Sequence, residues 1–307
     1  MTPLSGMSRG DYLRAFGVVV IWGLNFVVMK LGLQGLSPML LGCLRFALAS
    51  LPFLPFVARP RVPWRFVVLY GLAQGIGQFG LLFVALRLGM TAGMASVVMQ
   101  TQAFFTLLLA SVLLGERASG YQWAGLCVAA LGLAAIASAH GDGPEQMTLI
   151  GFVLTLGAAF MWATSNLVVR FAGRASSDYD PFAFIVWSSA VPVLPFILLA
   201  VATEGWAHSW HSVIGIGISE GLAVLYLALL ATLLAYTMWT RLLKRHAAGR
   251  VAPFSLLVPI VGLWAASAVF GERLAAVQWG GTAAVLVGLL INQIRPRVVR
   301  RTKETVG

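Results

Sequence analysis

The side chains that could handle a ligand here are amides and one arginine, set inside long apolar runs. Gln74 and Gln78 are four residues apart, the spacing that puts two side chains on one helix face. Gln100 and Gln102 fall mid-way along another run, Asn25 near the middle of the first, and Arg45 within the second. An amide both donates and accepts, so such a set can hold both ends of a zwitterion without a buried charge of its own. Arg45 stands ~10 Å into its run, counting 1.5 Å per residue from position 38. Burial there costs roughly 2.5–3.5 kcal/mol on insertion scales, so the guanidinium must face a cavity or a partner. Two readings stay open: a fixed cation whose fork takes a carboxylate, or a structural tie to carbonyls, or to the interface by snorkelling. The amides divide the same way, between ligand contact and interhelical glue at ~0.6–2 kcal/mol per contact. Four glutamines in two adjacent runs favour the polar cavity.

Trp22 and Trp162 fall mid-run rather than in the interfacial belts where tryptophan gathers. Each indole N–H needs a partner there, whether the rings line a cavity or pack in a core, and Tyr226 is read alike. Among the prolines inside runs, Pro259 is the deepest and is expected as a hinge. Lys30 and Arg170, at the ends of runs, are candidates to pair or to close gates. Glu116-Arg117 and Glu272-Arg273 occupy tight turns, where the glutamates are expected to cap the next helix in each case. Glu220 is the acidic side chain available for ion coupling. His208, His211 and Glu204 lack a fourth ligand, so no metal site is expected. Gly75–Gly80 fits a dinucleotide pattern but has no strand before it. No catalytic residue set is found, and neither an enzyme nor a cofactor is expected.

The elements that hold these residues can be read from composition. The chain has 307 residues, 59% hydrophobic and 10% charged, against about 25% charged in soluble domains. That excludes a soluble enzyme and a disordered chain. Two cysteines, Cys43 and Cys127, exclude a disulfide scaffold. The net charge of +11 does not point to nucleic acid, because the basic residues sit in short gaps and in the tail. A span needs about 20 apolar residues, and ten segments qualify: 14–32, 38–57, 66–88, 93–114, 121–139, 149–170, 181–202, 214–239, 249–270 and 275–294. The first is expected to remain as a span, since no cleavage pattern precedes it. Ten spans put both termini on one side. Of the 21 Lys and Arg, Lys30, Arg87 and Arg273 alone fall on the other side, with Arg45 in a span. The positive-inside rule makes both ends cytoplasmic, in a cell inner membrane.

The two halves repeat. Leu51-Pro52-Phe53-Leu54-Pro55-Phe56 returns 140 residues later as Val191-Pro192-Val193-Leu194-Pro195-Phe196, and at that offset Trp22 meets Trp162 and Lys30 meets Arg170. Gly115-Glu116-Arg117, Gln122-Trp123, Gly125 and Gly132 return at an offset of 156 as Gly271-Glu272-Arg273, Gln278-Trp279, Gly281 and Gly288. Five helices per copy is odd, so the second copy must be inverted. Inverted repeats are the architecture of alternating-access carriers, with the site at mid-membrane. Leu256 and Val258 replace Gln100 and Gln102 in the later copy, so recognition is expected to be asymmetric.

Trp22-Gly23-Leu24-Asn25-Phe26-Val27-Val28-Met29-Lys30, Arg45-Phe46, Gln100-Thr101-Gln102-Ala103-Phe104-Phe105-Thr106, Arg250–Pro259 and the two Gly-Glu-Arg turns resemble the EamA family of the drug/metabolite transporter superfamily over nearly the whole chain. The likeness is strongest to its cysteine and O-acetylserine exporters, and the chain is also similar to aromatic amino-acid exporters of that fold. It implies an all-α membrane protein of ten transmembrane helices in two inverted five-helix repeats, at 1–140 and 148–295, with a basic cytoplasmic tail at 296–307. It also implies a central cavity lined by spans 1–4 and 6–9. The expected function is export of small amino acids or related metabolites. Its partners would be that small molecule, the lipid bilayer and, for coupling, protons, with a monomer as the working unit. A multidrug exporter of the same superfamily is the first rival, though it should prefer an acidic cavity. A non-transporting membrane sensor or assembly protein is the second.

Overall fold

The computed structural model describes residues 7–293 apart from 117, 141–146, 177 and 247. Arg117 and the tail at 296–307 lie outside the described residues. Those described are helical, without strands. In chain order the helices are α1 (Arg9–Gly35), α2 (Pro38–Ser50), α3 (Trp64–Arg87), α4 (Ala92–Leu114), α5 (Gly120–Ser138), α6 (Leu149–Ala175), α7 (Pro181–Glu204), α8 (Trp206–Ile214), α9 (Ile218–Leu242), α10 (Ala248–Ser255), α11 (Val258–Phe270) and α12 (Ala276–Asn292). Eight stretches among the described residues are long and apolar enough to cross a membrane, while α2 and α12 are shorter apolar helices.

Side-chain caps set where many of these helices begin. Ser8, Ser37, Thr91, Ser119 and Thr148 each accept a backbone N–H of the first turn, and Asp180 accepts two. Such caps satisfy donors that a helix leaves unpaired. At the other end, Gly115 and Gly271 stop α4 and α11 at φ 66° and 68°, a left-handed conformation that glycine adopts readily. A glutamate comes directly after each.

Two expectations need correcting. The run 38–57 is helical to Ser50 and then turns tightly through Phe56, because Pro52 and Pro55 withdraw donors from the ladder. The residues between the expected spans 181–202 and 214–239 are largely helical: α7 continues to Glu204, Gly205 turns the chain at φ 82°, and α8 starts at Trp206.

Several long helices are irregular. Both α3 and α9 carry wide π-type turns, at Gly71–Gly80 and Tyr226–Leu234. In α4 a 3₁₀ turn occupies Met99–Thr101, and α10 and α11 are separated at Leu256–Leu257. Such turns are enriched at functional sites because they re-aim side chains and free carbonyls. The outward faces stay apolar, with Val112, Leu131, Leu198, Leu222 and Trp264 exposed. That surface is suited to lipid and would be a liability in water. At the start of the bundle, Asp11 is nearly buried and accepts from Arg14 (3.0 Å) while meeting His246 Nε2 at 3.0 Å, tying the start of α1 to the end of α9.

Helices α5 and α12 meet through glycine. A Cβ on Gly125 would stand 2.5 Å from the Gly288 carbonyl oxygen, and one on Gly132 would stand 2.6 Å from that of Gly281. Backbones that approach this closely gain dispersion contacts in lipid, where the hydrophobic effect offers no drive between helices. Gly288→Leu is therefore expected to lower stability by ~1–3 kcal/mol, the usual cost of overpacking. Gly280→Leu, with open space beside it, should leave the detergent melting temperature unchanged.

Candidate functional site: a polar cavity among the helices

A cavity with about 500 Å³ of unfilled space, part of it open to solvent, is lined by α1, α2, α3, α4, α6, α9, α10 and α11. Arg45 forms part of its wall and is 1% exposed. Its Nε donates to Thr232 Oγ1 (3.1 Å), and its guanidinium carbon lies 3.7 Å from the Phe79 ring centroid. Thr232 Oγ1 in turn donates to the Leu227 carbonyl five residues back (2.8 Å), a bond set by the π-type turn of α9. Among the described residues no carboxylate pairs with Arg45, and no acidic side chain lines the cavity. The positive charge is held by a ring face and a hydroxyl, and its remaining donors have no anion.

Around it stand acceptors without donors. Asn25 Oδ1 and Gln78 Oε1 are buried and lack a hydrogen-bond partner. Both residues line the cavity. The hydroxyl of Tyr236 is within reach of the Gln74 and Gln78 amides. Leaving a buried acceptor unpaired costs ~1–3 kcal/mol, so these oxygens are suited to an incoming donor. Trp22, Trp162 and Tyr236 form an aromatic wall. The two indoles meet edge to face at 6.5 Å, and Trp22 lies 5.1 Å from Tyr236. The Trp22 Nε1–H donates to the Ala231 carbonyl at 3.3 Å.

Helix breaks supply the remaining polar lining. The Ser255 carbonyl, at the end of α10, accepts from Gln100 Nε2 at 2.7 Å, so α4 and α10 are joined where each departs from α-helical geometry. Ser96 Oγ donates to the Gly93 carbonyl (2.6 Å) one turn nearer the start of α4.

Of the residues singled out from sequence, Trp22, Asn25, Arg45, Gln78, Gln100 and Trp162 line the cavity. Gln74 lies behind the wall, buried near Tyr236. Gln102 faces α6, where its Oε1 accepts from Asn166 Nδ2 at 2.8 Å. Tyr226 turns to α1 and donates to the Ile21 carbonyl at 2.8 Å. Glu220 sits in the first turn of α9, beside Gly35 and Gly217, and does not touch the cavity. Pro259 is in the first turn of α11, where its missing N–H would be unpaired in any case. The cavity residues not anticipated include Ser96, Tyr236 and Ser255.

The glutamates of the two tight turns do not cap the next helices. The start of α5 is satisfied by Ser119 and Gln122, and the start of α12 by Gln278. Glu116 pairs with Arg170. Glu272 pairs with Lys30 at 2.9 Å and accepts the N–H groups of Ala92 and Gly93, both at 2.9 Å. Arg273, beside it in the chain, is exposed.

Apolar helices broken around a partly open cavity with polar groups in its wall fit a multi-pass membrane transport protein. The chain belongs to the EamA-like transporter family, which matches residues 11–138 and again residues 149–293. A protein of Salmonella typhimurium strain LT2 named probable amino-acid metabolite efflux pump is 44% identical over 98% of this chain and 100% of its own length. One of the same name in Escherichia coli K12 is 42% identical over 93% and 95%. A probable terminal-alkyne amino-acid exporter of Streptantibioticus cattleyicolor is 27% identical over 94% and 95%. A crystal structure of 19% identity superposes with a TM-score of 0.62 over 98% of this chain and 100% of its own, a likeness in fold.

Gln100→Leu would remove the Nε2 donor that reaches the Ser255 carbonyl at 2.7 Å and joins α4 to α10. The expected cost is ~1–3 kcal/mol, read as a lower melting temperature in detergent.

Proposed function

We propose that this chain is an inner-membrane exporter of small amino acids or related metabolites that works by alternating access. The observation that carries the reading is Arg45: a guanidinium at the cavity wall, 1% exposed, with no carboxylate beside it among the described residues. Such a charge is suited to a ligand carboxylate, with the unpaired oxygens of Asn25 and Gln78 taking the ammonium group and the aromatic wall excluding water. The names of the relatives in Salmonella and Escherichia agree with it. A cavity without an acidic lining argues against an exporter of lipophilic cations.

The cycle needs two faces that open in turn, and five plus five inverted spans supply them. The eight long apolar stretches, taken with the shorter apolar helices α2 and α12, support that count. Contacts that map onto themselves when the halves are exchanged support the inversion. The Gly125–Gly288 contact becomes Gly281–Gly132, and Lys30–Glu272 becomes Arg170–Glu116. In this reading the repeats occupy 1–140 and 148–295, and both termini and the basic tail at 296–307 are cytoplasmic. Lys30–Glu272 then lies toward the outside and Arg170–Glu116 toward the cytoplasm, closing the two ends as gates. Since the whole cavity is made by one chain, a monomer suffices. Without a carboxylate in the cavity, downhill release of accumulated metabolite needs no proton, and Glu220 would serve proton coupling only from a distance.

Efflux from proteoliposomes across a panel of amino acids, with and without a pH gradient, tests this reading. O-Acetylserine or another small amino acid should leave faster than from protein-free vesicles. Arg45→Gln should weaken half-saturation ten- to a hundredfold, the equivalent of ~1.5–3 kcal/mol for a hydrogen bond to a charged group. Gln78→Leu should cut flux without loss of folded protein. Flux unchanged in both variants would remove the cavity as the substrate site.

A further inference from the structure

Glu272 is one of two buried carboxylates among the described residues, with Asp11 the other. Its position is unusual. It is carried by the turn after α11, yet its bonds reach two elements of the other half. Oε1 accepts from Lys30 Nζ on α1 and from the Ala92 N–H, and Oε2 accepts from the Gly93 N–H, each at 2.9 Å. Two orphan donors of the first turn of α4 are thereby satisfied by an anion placed where the helix dipole favours one. Lys30 is further held 4.7 Å from the Phe270 ring centroid.

The same turn of α4 leads into the cavity. Gly93 gives its N–H to Glu272 and its carbonyl to the hydroxyl of Ser96, which lines the wall. One turn further on are Met99 and Gln100, also at the wall. A Cβ on Gly93 would lie 3.1 Å from Glu272 Oε2, and one on Gly262 would lie 2.6 Å from Ser96. No slack separates the carboxylate, the helix turn and the lining.

We propose that Glu272 is a positioning residue for the substrate site as well as the closure of the outer face. Resting on the exporter reading above, the consequence is direct. Opening the outer face parts Lys30 from Glu272 and releases the first turn of α4. Ser96 and Gln100 then lose their fixed placement, and the site weakens as it turns outward. The substrate in turn favours the inward-facing state by the same factor, since coupling of binding to conformation is reciprocal. The counterpart pair Arg170–Glu116 has side chains 40% and 44% exposed, against 29% and 8% for Lys30 and Glu272, so the buried carboxylate is on the side where release occurs.

Three variants separate the two roles: Lys30→Gln, Glu272→Gln and Glu272→Ala. Each is made in full-length protein with Cys43 and Cys127 replaced by serine and Ala92→Cys as a reporter. All three lose the ion pair, so a membrane-impermeant maleimide added outside right-side-out vesicles should label Cys at 92 at least tenfold faster than in the parent. Glutamine at 272 keeps an acceptor for the α4 amides and alanine does not. Amide exchange over 92–96 should therefore be about tenfold faster in Glu272→Ala than in Glu272→Gln, with O-acetyl-L-serine bound correspondingly more weakly. Equal exchange in the two would overturn the positioning role, and unchanged labelling in all three would overturn the closure. If the parent binds no O-acetyl-L-serine, the substrate reading fails, while labelling and exchange still decide this proposal.

Discussion

Placing an arginine in a low-dielectric interior, with no acid paired to it among the described residues, is the constraint around which the cavity is arranged. Water cannot solvate Arg45 at 1% exposure, and an ion pair would neutralise it, so the fold uses weaker partners. The Phe79 face at 3.7 Å supplies the quadrupole of a cation–π contact, and Thr232 supplies an oxygen at 3.1 Å. These hold the charge without cancelling it. The surrounding orphan acceptors, Asn25 Oδ1 and Gln78 Oε1, are the complementary half of the same arrangement. In the exporter reading proposed above, the ligand that completes one set also completes the other.

Backbone geometry is bent to the same end. In lipid every peptide group needs a partner, so a helix can be broken only where another element takes the freed group. Gln100 does so for the Ser255 carbonyl, and Thr232 for the Leu227 carbonyl inside a widened turn. In each case the side chain that repairs the backbone is at the cavity or touches Arg45. Backbone repair and the cavity wall are therefore linked, and a substitution at either residue is felt by both.

Much of this is visible in the sequence, and the exceptions have physical causes. Arg45, Asn25, Gln78 and Gln100 stand out because polarity inside apolar runs is costly, and the structure puts all four at the cavity. Gln102 does not join Gln100 there, since residues two apart on a helix point to different sides. Tyr226 turns to α1 while Tyr236, not singled out from sequence, joins the cavity wall. The π-type turn over Tyr226–Leu234 rotates the remainder of α9, and hydropathy does not encode that rotation. Ser96 and Ser255 carry no signal at all, because small hydroxyls are ordinary in membrane helices and a backbone carbonyl is invisible in sequence. The glutamates of the tight turns are legible as structural, but not their partners, which lie 54 residues away for Glu116 and 242 for Glu272.

The glycine seam between α5 and α12 bears on how such a protein arises. Because the contact is reproduced when Gly125 and Gly132 trade places with Gly281 and Gly288, it requires no difference between the two strips that make it. If the halves are the inverted five-helix repeats proposed above, two identical half-length chains inserted in opposite senses have the same seam available before any gene fusion. Because both strips hold this contact through glycine, residues away from it, such as Gln100 and its counterpart Leu256, can differ between the halves without touching the seam.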